Sequence, residues 1–267
     1  MVRRPVVAGS FYAGTRERLR AQLEELSPPS GTRTDVLAAI VPHAGYVYSG
    51  RVAAQVYACI APPDVWVIVG PNHTGAGARA AILTSGEWET PLGRLAIDAD
   101  LGQAILARSS VLREDPAAHA REHSIEVQLP FMQRDAPMSR FVPIGLFSHE
   151  YAVCRDVGLA AAAAIQETGR RVVLVASTDM SHYVSRAVAT ARDRKALDAI
   201  LALDPEGLHR VVSREGISMC GFHATTAVLV AAKVLGATTA KLVAYTDSGA
   251  ITGDTDEVVA YAGITIR

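Results

Sequence analysis

The stretch RRVVLVASTDMSHYVS, residues 170–185, places a run of branched apolar residues directly before a cluster of polar ones. Residues 171–176 show no alternation of polar and apolar side chains, which is typical of a strand covered on both faces. Sheets of such strands bind ligands beyond the carboxyl ends of their strands. Asp179 and His182 lie just beyond this strand end. The stretch therefore predicts a layered fold, and it directs the search for function to the other strand ends.

Further apolar runs continue this pattern along the chain, with helical patterns between them. Strands are predicted at 36–42, 65–70, 140–147, 171–176, 241–246 and 258–266, and helices at 50–60, 100–108, 123–134, 151–168, 189–203 and 223–235. Residues 82–98 indicate a hairpin with its turn near Pro91, Leu92 and Gly93. The alternation predicts an α/β fold, layered as α/β/α around a central mixed, largely parallel sheet. No segment marks a boundary, so we expect one domain over residues 1–267.

Composition narrows the classes of function. The 267 residues carry a net charge of −1 and contain no block of Lys and Arg, which argues against nucleic acid as a partner. Three cysteines without a CxxC pair do not form a disulfide framework, so a cytoplasmic location is expected. The most apolar window, residues 158–165, is much shorter than the ~20 residues of a membrane-spanning helix. We therefore expect a soluble protein with no membrane partner.

Histidines follow three of the predicted strands. His43 comes after strand 36–42, Asn72 and His73 come after strand 65–70, and Asp179 and His182 come after strand 171–176. Because the carboxyl ends of parallel strands lie at one edge of a sheet, we expect these imidazoles to gather there. Such a cluster suits a metal site or an acid–base site. A hydrogen-bonded cluster with a purely structural role is the alternative.

The segment REHSIEVQLPFM, residues 121–132, adds His123 as a candidate. Ser124 is placed to cap the predicted helix 123–134. We interpret Glu122 and Glu126 as an ordinary solvated first turn, which the helix dipole favours. This interpretation does not account for the histidine at position 123, so His123 remains a candidate for the site.

One cysteine also stands out. Cys220 lies in the Gly-flanked loop of GISMCGFHATTAVL, residues 216–229, just before a predicted helix. Backbone N–H groups at a helix start stabilise a thiolate, the form of cysteine that binds metals. Cys59 and Cys154 are interpreted as small core residues. His119, His149 and His209 are interpreted as structural, and His223 is either a first-turn helix residue or a neighbour of the Cys220 site.

An ordered set of motifs runs nearly from end to end of the chain: RPVVAGSFY at 4–12, PHAGYVYSG at 42–50, GPNHTG at 70–75, TPLG at 90–93, EHSIEVQLPF at 122–131, STDMSHY at 177–183, MCG at 219–221 and YTDSG at 245–249. In these motifs the chain resembles the Memo family, which includes protein B of the AmmeMemoRadiSam system. That family is similar to the catalytic domain of class III extradiol dioxygenases, non-heme Fe(II) enzymes that open catechol rings with O₂. The resemblance implies an extradiol-dioxygenase-like fold. Two family prolines are replaced here, by Ala13 and Ala224.

The resemblance also implies a site. It places a metal ion on His43, His73 and Cys220, with Fe(II) as the expected ion and copper or zinc as alternatives. We predict that His182 is the general acid or base, oriented by Asp179, and that His123 donates a hydrogen bond to bound oxygen. The predicted lining of the substrate pocket is Tyr46, Asn72 and Tyr183.

Three functions remain open at this point. The first is O₂-dependent oxidation or ring opening of a small catechol-like substrate. The second is a non-catalytic protein that binds a metal or a phosphopeptide, since an animal member of the family binds a phosphotyrosine peptide. Arg51 and Arg186 are the basic residues nearest to the motif loops. The third is a zinc-dependent hydrolase. The family name further implies a pathway shared with radical-SAM and AMMECR-type proteins.

Overall fold

The computed structural model describes residues 1–28 and 32–267. Its strands are β1 (Val2–Arg3), β2 (Ala38–Val41), β3 (Val65–Pro71), β4 (Ala80–Ile82), β5 (Glu87–Thr90), β6 (Gly93–Ala96), β7 (Arg113–Glu114), β8 (Arg140–Leu146), β9 (Val172–Ser177), β10 (His182–Val184), β11 (Ala240–Asp247) and β12 (Val258–Ile266). The predicted strands are thus confirmed with small shifts at their ends.

The helices are α1 (Arg16–Leu26), α2 (Tyr46–Ala58), α3 (Ala99–Arg108), α4 (Ala117–Ala120), α5 (Leu129–Asp135), α6 (Tyr151–Thr168), α7 (Arg186–Leu201), α8 (Pro205–Glu215), α9 (Phe222–Val234) and α10 (Gly249–Thr252). None of the helices in the described part of the chain combines the length and the apolar character that a membrane crossing requires.

The central sheet is mixed, with a parallel middle. Its strand order is β10-β12-β2-β9-β3-β8-β4-β7, and β11 pairs with β12. The pairs β2–β9, β9–β3 and β3–β8 are parallel, whereas β12 runs antiparallel to β2 and β4 runs antiparallel to β8. The predicted hairpin is confirmed as β5 and β6, which form a small separate sheet with β1.

Alternate residues of the parallel strands point to opposite faces, and each face is covered by helices. Ile40 and Val67 pack in one core with α3, α6, α7, α8 and α9, and Val41 and Ile68 pack in the other with α1, α2 and α5. Burying a side chain of this size contributes roughly 1.5–3 kcal/mol. This two-sided burial confirms the α/β/α layering and explains why the strands are apolar throughout.

The predicted helix 123–134 is shorter than expected. Residues 126–128 form a 3₁₀ turn, and the α-helix begins only at Leu129. Ser124 does not cap it, because its hydroxyl donates to the carbonyl oxygen of Pro71 at 2.8 Å. A Cβ atom on Gly70 would lie 2.6 Å from this hydroxyl. The segment before α5 therefore packs tightly across the end of β3.

Glu126 is buried, which corrects the prediction of a solvated turn. Its side chain is 0% exposed and forms an ion pair with Arg3 at 2.7 Å. The carboxylate also accepts hydrogen bonds from the backbone N–H groups of Val6 and Val7 and from the hydroxyl of Tyr12. Burial of a carboxylate is tolerated only with this kind of compensation. The N-terminal segment is thereby fixed against the segment that carries His123.

Replacing Arg3 with Met should destabilise the protein by about 3–5 kcal/mol, because it leaves a buried carboxylate without its counter-ion. Chemical denaturation of the variant measures this loss. The matched control is Arg94→Met, which breaks an ion pair with Glu87 whose side chains are 56% and 41% exposed. It should cost less than about 1 kcal/mol. Equal losses in the two variants would contradict a special role for the buried pair.

Candidate metal centre

The loops that carry the predicted site residues leave three neighbouring strands. β2, β9 and β3 lie side by side and parallel, so His43, Asp179 and His73 emerge at the same sheet edge. The ring centroids of His43 and His73 are 5.2 Å apart, and His123 stacks on His73 at 4.7 Å. The expected gathering of imidazoles at this edge is confirmed.

Cys220 reaches this cluster from the start of α9. Its sulfur lies 3.2 Å from Nε2 of His43 and accepts a hydrogen bond from the backbone N–H of Asp179 at 3.3 Å. The following residue has to be glycine for steric reasons, since a Cβ atom on Gly221 would lie 2.4 Å from the carbonyl oxygen of Ser177. Gly221 therefore lets the Cys220 loop rest directly on the end of β9.

His43, His73 and Cys220 together offer three ligand atoms that all lie within 4.8 Å of one another. Metal–nitrogen bonds of about 2.0–2.1 Å and metal–sulfur bonds of about 2.3 Å place two ligands of one ion roughly 3–3.6 Å apart. The 3.2 Å between the Cys220 sulfur and His43 Nε2 falls within this range. This pair of donor atoms therefore has the separation that a shared transition-metal ion requires, and His73 offers a third donor within 4.8 Å of both.

Hydrogen bonds fix the proton of His43 on the nitrogen that faces away from the sulfur. Nδ1 of His43 is 3.0 Å from the hydroxyl oxygen of Ser177. That hydroxyl donates its own hydrogen to the carbonyl oxygen of Ser124 and also accepts from Nε2 of Gln128. A hydroxyl has one hydrogen, so Nδ1 of His43 has to be the donor in this contact. Nε2 is left with a free lone pair.

Glu122 fixes His73 in the same way and corrects the prediction of a solvated glutamate. Its carboxylate is buried and accepts from Nδ1 of His73 at 2.9 Å, and also from the backbone N–H groups of His73, His123 and Ser124. Burial raises the pKa of Glu122, but the hydrogen bond and charge of His73, together with the Ser124 N–H group and the charge of His123, outweigh burial and lower the pKa to about 2. The ionised carboxylate of Glu122 therefore holds the Nδ1–H group of His73 and leaves Nε2 free to bind a metal ion.

His182 lies beside the cluster, but Asp179 does not orient it. Its Nδ1 contacts the carbonyl oxygen of Ser218 at 2.9 Å, and a carbonyl oxygen only accepts, so Nδ1 carries the proton. Asp179 instead accepts from the backbone N–H groups of His43 and Ala44. Burial raises the pKa of Asp179 to about 6. Asp179, His182 and Cys220 nevertheless lie close enough to form a second, overlapping group of ligands.

The three residues predicted to line the pocket have different positions. Tyr46 is 2% exposed, and its hydroxyl donates to the carbonyl oxygen of Val127 inside the core. The side chain of Asn72 is engaged within its own loop, where it contacts Thr74 and Ala76. Tyr183 is 74% exposed and has a left-handed backbone with φ 54°. Tyr46 is therefore turned away from the cluster, and Tyr183 is exposed with its ring 5.9 Å from that of His182.

Burial also determines the protonation of two of the predicted ligands. Burial and the neighbouring imidazoles hold the pKa of His43 well below its usual range. Burial and the Asp179 carboxylate raise the pKa of the Cys220 thiol. This reverses the prediction that the start of α9 favours a thiolate. A bound divalent cation would restore the thiolate, because a coordinating thiol loses its proton.

The remaining histidines include two that contact each other. His149, interpreted as structural from the sequence, lies 3.2 Å from His223 between ring nitrogens. His119 is buried beside Trp88, and neither of its ring nitrogens has a hydrogen-bond partner among residues 1–28 and 32–267. His223 belongs to the first turn of α9, and its contact is with His149.

Comparison with proteins of known structure supports the fold. The crystal structure of an uncharacterized protein from Escherichia coli K12 superposes with a TM-score of 0.57 at 13% sequence identity. The match covers 86% of this chain and 99% of that chain. At this identity the likeness establishes a shared fold.

Comparison of sequences identifies the family. A MEMO1 family protein of Methanothermobacter thermautotrophicus is 41% identical over 99% of this chain and 100% of its own length. A MEMO1 family protein of Methanopyrus kandleri is 42% identical over 100% of this chain and 99% of its own length. The family model described as Memo-like protein matches residues 3–265. The chain therefore belongs to the Memo family.

Proposed function

We propose that this protein binds one divalent transition-metal ion through Nε2 of His43, Nε2 of His73 and the sulfur of Cys220. The observation that carries the proposal is the fixed orientation of both imidazoles. Ser177 and Glu122 each bind an Nδ1–H group, which leaves Nε2 free on both rings. One ring nitrogen of each histidine belongs to the same group of ligand atoms as the sulfur. Hydrogen bonding of the outer ring nitrogen is the usual arrangement for a ligating histidine.

Fe(II) is the ion we propose, with copper and zinc as the alternatives. Two imidazoles and one anionic ligand leave coordination positions open, as in non-heme oxygenases, and bound Fe(II) there supplies O₂ chemistry. Thiolate is softer than the usual carboxylate, which also suits copper and zinc. The proposed activity is O₂-dependent oxidation or ring opening of a small catechol-like substrate. The side chains of His73 and His123 are 33% and 24% exposed, so the cluster is open to such a substrate.

His182 is the residue we propose for proton transfer. Ser218 holds its Nδ1–H group and leaves Nε2 to take or deliver a proton. His123 stacks on His73 and is placed to donate to an oxygen atom of a bound ligand. Asp179 has a raised pKa near 6, so its buried carboxyl is a second group that exchanges protons near neutral pH.

Phosphopeptide binding is less well supported than metal binding. Arg186 is engaged by both carboxylate oxygens of Asp247, each at 2.7 Å. Arg51 lines a different cavity, together with Tyr48 and Ile251. A phosphate group needs a free arginine or lysine. These two residues therefore do not supply a phosphate site at the histidine cluster.

Substituting His43, His73 or Cys220 singly with Ala should remove most of the bound metal, since each variant loses one of three ligands. The measurement is metal content by mass spectrometry after anaerobic purification. Cys59→Ala is the matched control, because Cys59 lies at the end of α2 and its thiol contacts the carbonyl oxygen of Gln55. Metal content that stays unchanged in all three ligand variants would refute the site.

Replacing Glu122 with Gln should weaken metal binding by about 10–100-fold, because the neutral amide holds His73 less firmly than the carboxylate does. Competition with a chelator measures the affinity. Glu150→Gln is the control, since the side chain of Glu150 is 68% exposed. A metal affinity equal to that of the control would show that Glu122 only stabilises the fold.

Reconstitution with Fe(II) should give oxygen uptake that depends on a catechol, and His182→Ala should reduce the rate by about 10²–10⁴-fold without loss of bound iron. An oxygen electrode measures the uptake. The zinc-loaded protein should show no uptake. Tightly bound iron without substrate-dependent uptake would favour a binding protein, and ester or amide hydrolysis by the zinc form would favour a hydrolase.

A further inference from the structure

A second group of imidazoles lies outside the cluster described above. His149 comes from the loop before α6, His209 from α8 and His223 from the first turn of α9. Nε2 of His223 is 3.2 Å from Nδ1 of His149. Nε2 of His209 contacts the backbone carbonyl oxygen of His149 at 3.0 Å instead. Only the first of these contacts joins two ring nitrogens.

Packing holds His223 in place, whereas His149 is accessible to solvent. His223 is 7% exposed, and its ring centroid lies 3.6 Å from that of Phe222. Phe222 also borders the rings of His149 and His209, at 6.2 and 5.5 Å. His149 itself is exposed. An ion from solvent can therefore reach the pair, while packing holds one of its two nitrogens in place.

The chemistry of the pair favours transition metals. Burial and the neighbouring His149 and His209 lower the pKa of His223 to about 3, so its ring is neutral at physiological pH. Neutral imidazole suits zinc, copper and nickel, whereas magnesium and calcium prefer oxygen ligands. Two nitrogens bound to one ion at about 2.0–2.1 Å lie roughly 2.9–3.4 Å apart. The observed separation of 3.2 Å meets this requirement.

We propose that His149 and His223 form a second binding site for a divalent transition-metal ion such as zinc, with the remaining positions filled by water. In the metal-free protein one of the two facing nitrogens carries the ring proton. On binding, that proton moves to the other nitrogen of the same ring, and both facing lone pairs bind the ion. The site is weaker than that of His43, His73 and Cys220, because it has two ligands and no anion.

The test is a calorimetric titration of the metal-free, full-length protein with Zn²⁺. The wild type should show a tight binding event and a weaker one. His149→Ala and His223→Ala should each weaken the second event at least tenfold and leave the tight event unchanged. His149 is exposed, so its variant should fold even if the His223 variant does not. His209→Gln is the matched control and should keep both events.

Three results would overturn the proposal: a wild type with no weaker event, a weaker event that survives in both pair variants, or its complete loss in His209→Gln. Cys220→Ser separates the two sites, because it should abolish the tight event and leave the weaker one. If the wild type shows the weaker binding event but not the tight one, the result contradicts the proposed function and leaves the second site standing.

Discussion

The close approach of the Cys220 loop to the ends of β2 and β9 is the constraint on which the site depends. The sulfur accepts from the backbone of Asp179 and contacts the ring of His43, so one atom connects α9 with two strands. This approach is possible because Gly221 has no Cβ atom to collide with Ser177 and Thr178. If the loop moved outward, the imidazoles would still cluster, but they would lack the sulfur ligand.

Buried polar groups give this arrangement its precision. A buried donor or acceptor without a partner costs about 1–3 kcal/mol, so each polar side chain in the cluster has few acceptable orientations. Glu122 accepts from four N–H groups, and Ser177 uses its hydroxyl to join Ser124, Gln128 and His43. Such a satisfied network rigidifies its surroundings. The ring nitrogens are thereby fixed before any ion or substrate arrives.

Helices and strands that follow from a local sequence pattern could be predicted. Helix 151–168 is observed as Tyr151–Thr168, and strand 140–147 as Arg140–Leu146. The first is recognisable by its long alanine-rich run and the second by its short apolar run, and both are local signals. His43, His73 and Asp179 could be placed because strand ends mark the edge of a parallel sheet. Cys220 could be singled out because glycine and a helix start follow it.

The partners of these residues could not be predicted, because they depend on contacts between distant segments. Glu122 resembles a solvated residue until the segment before α5 crosses the end of β3 and buries it against His73. Tyr46 precedes the predicted helix 50–60 but is the first residue of the observed helix α2. Only the packing of α2 turns its hydroxyl into the core. The His149–His223 contact joins residues 74 positions apart. No local pattern in either segment indicates that the two residues meet.

The electrostatics of the pocket connect the proposed metal site with the proposed substrate. Burial and the Asp179 carboxylate favour a neutral Cys220 thiol. A metal ion therefore has to displace the thiol proton, and affinity decreases as pH falls, because protons compete for the same sulfur. Once the thiolate forms, its single negative charge leaves a divalent ion with one net positive charge. Anionic vicinal oxygens, as in an ionised catechol, would neutralise that charge in a site from which water is partly excluded.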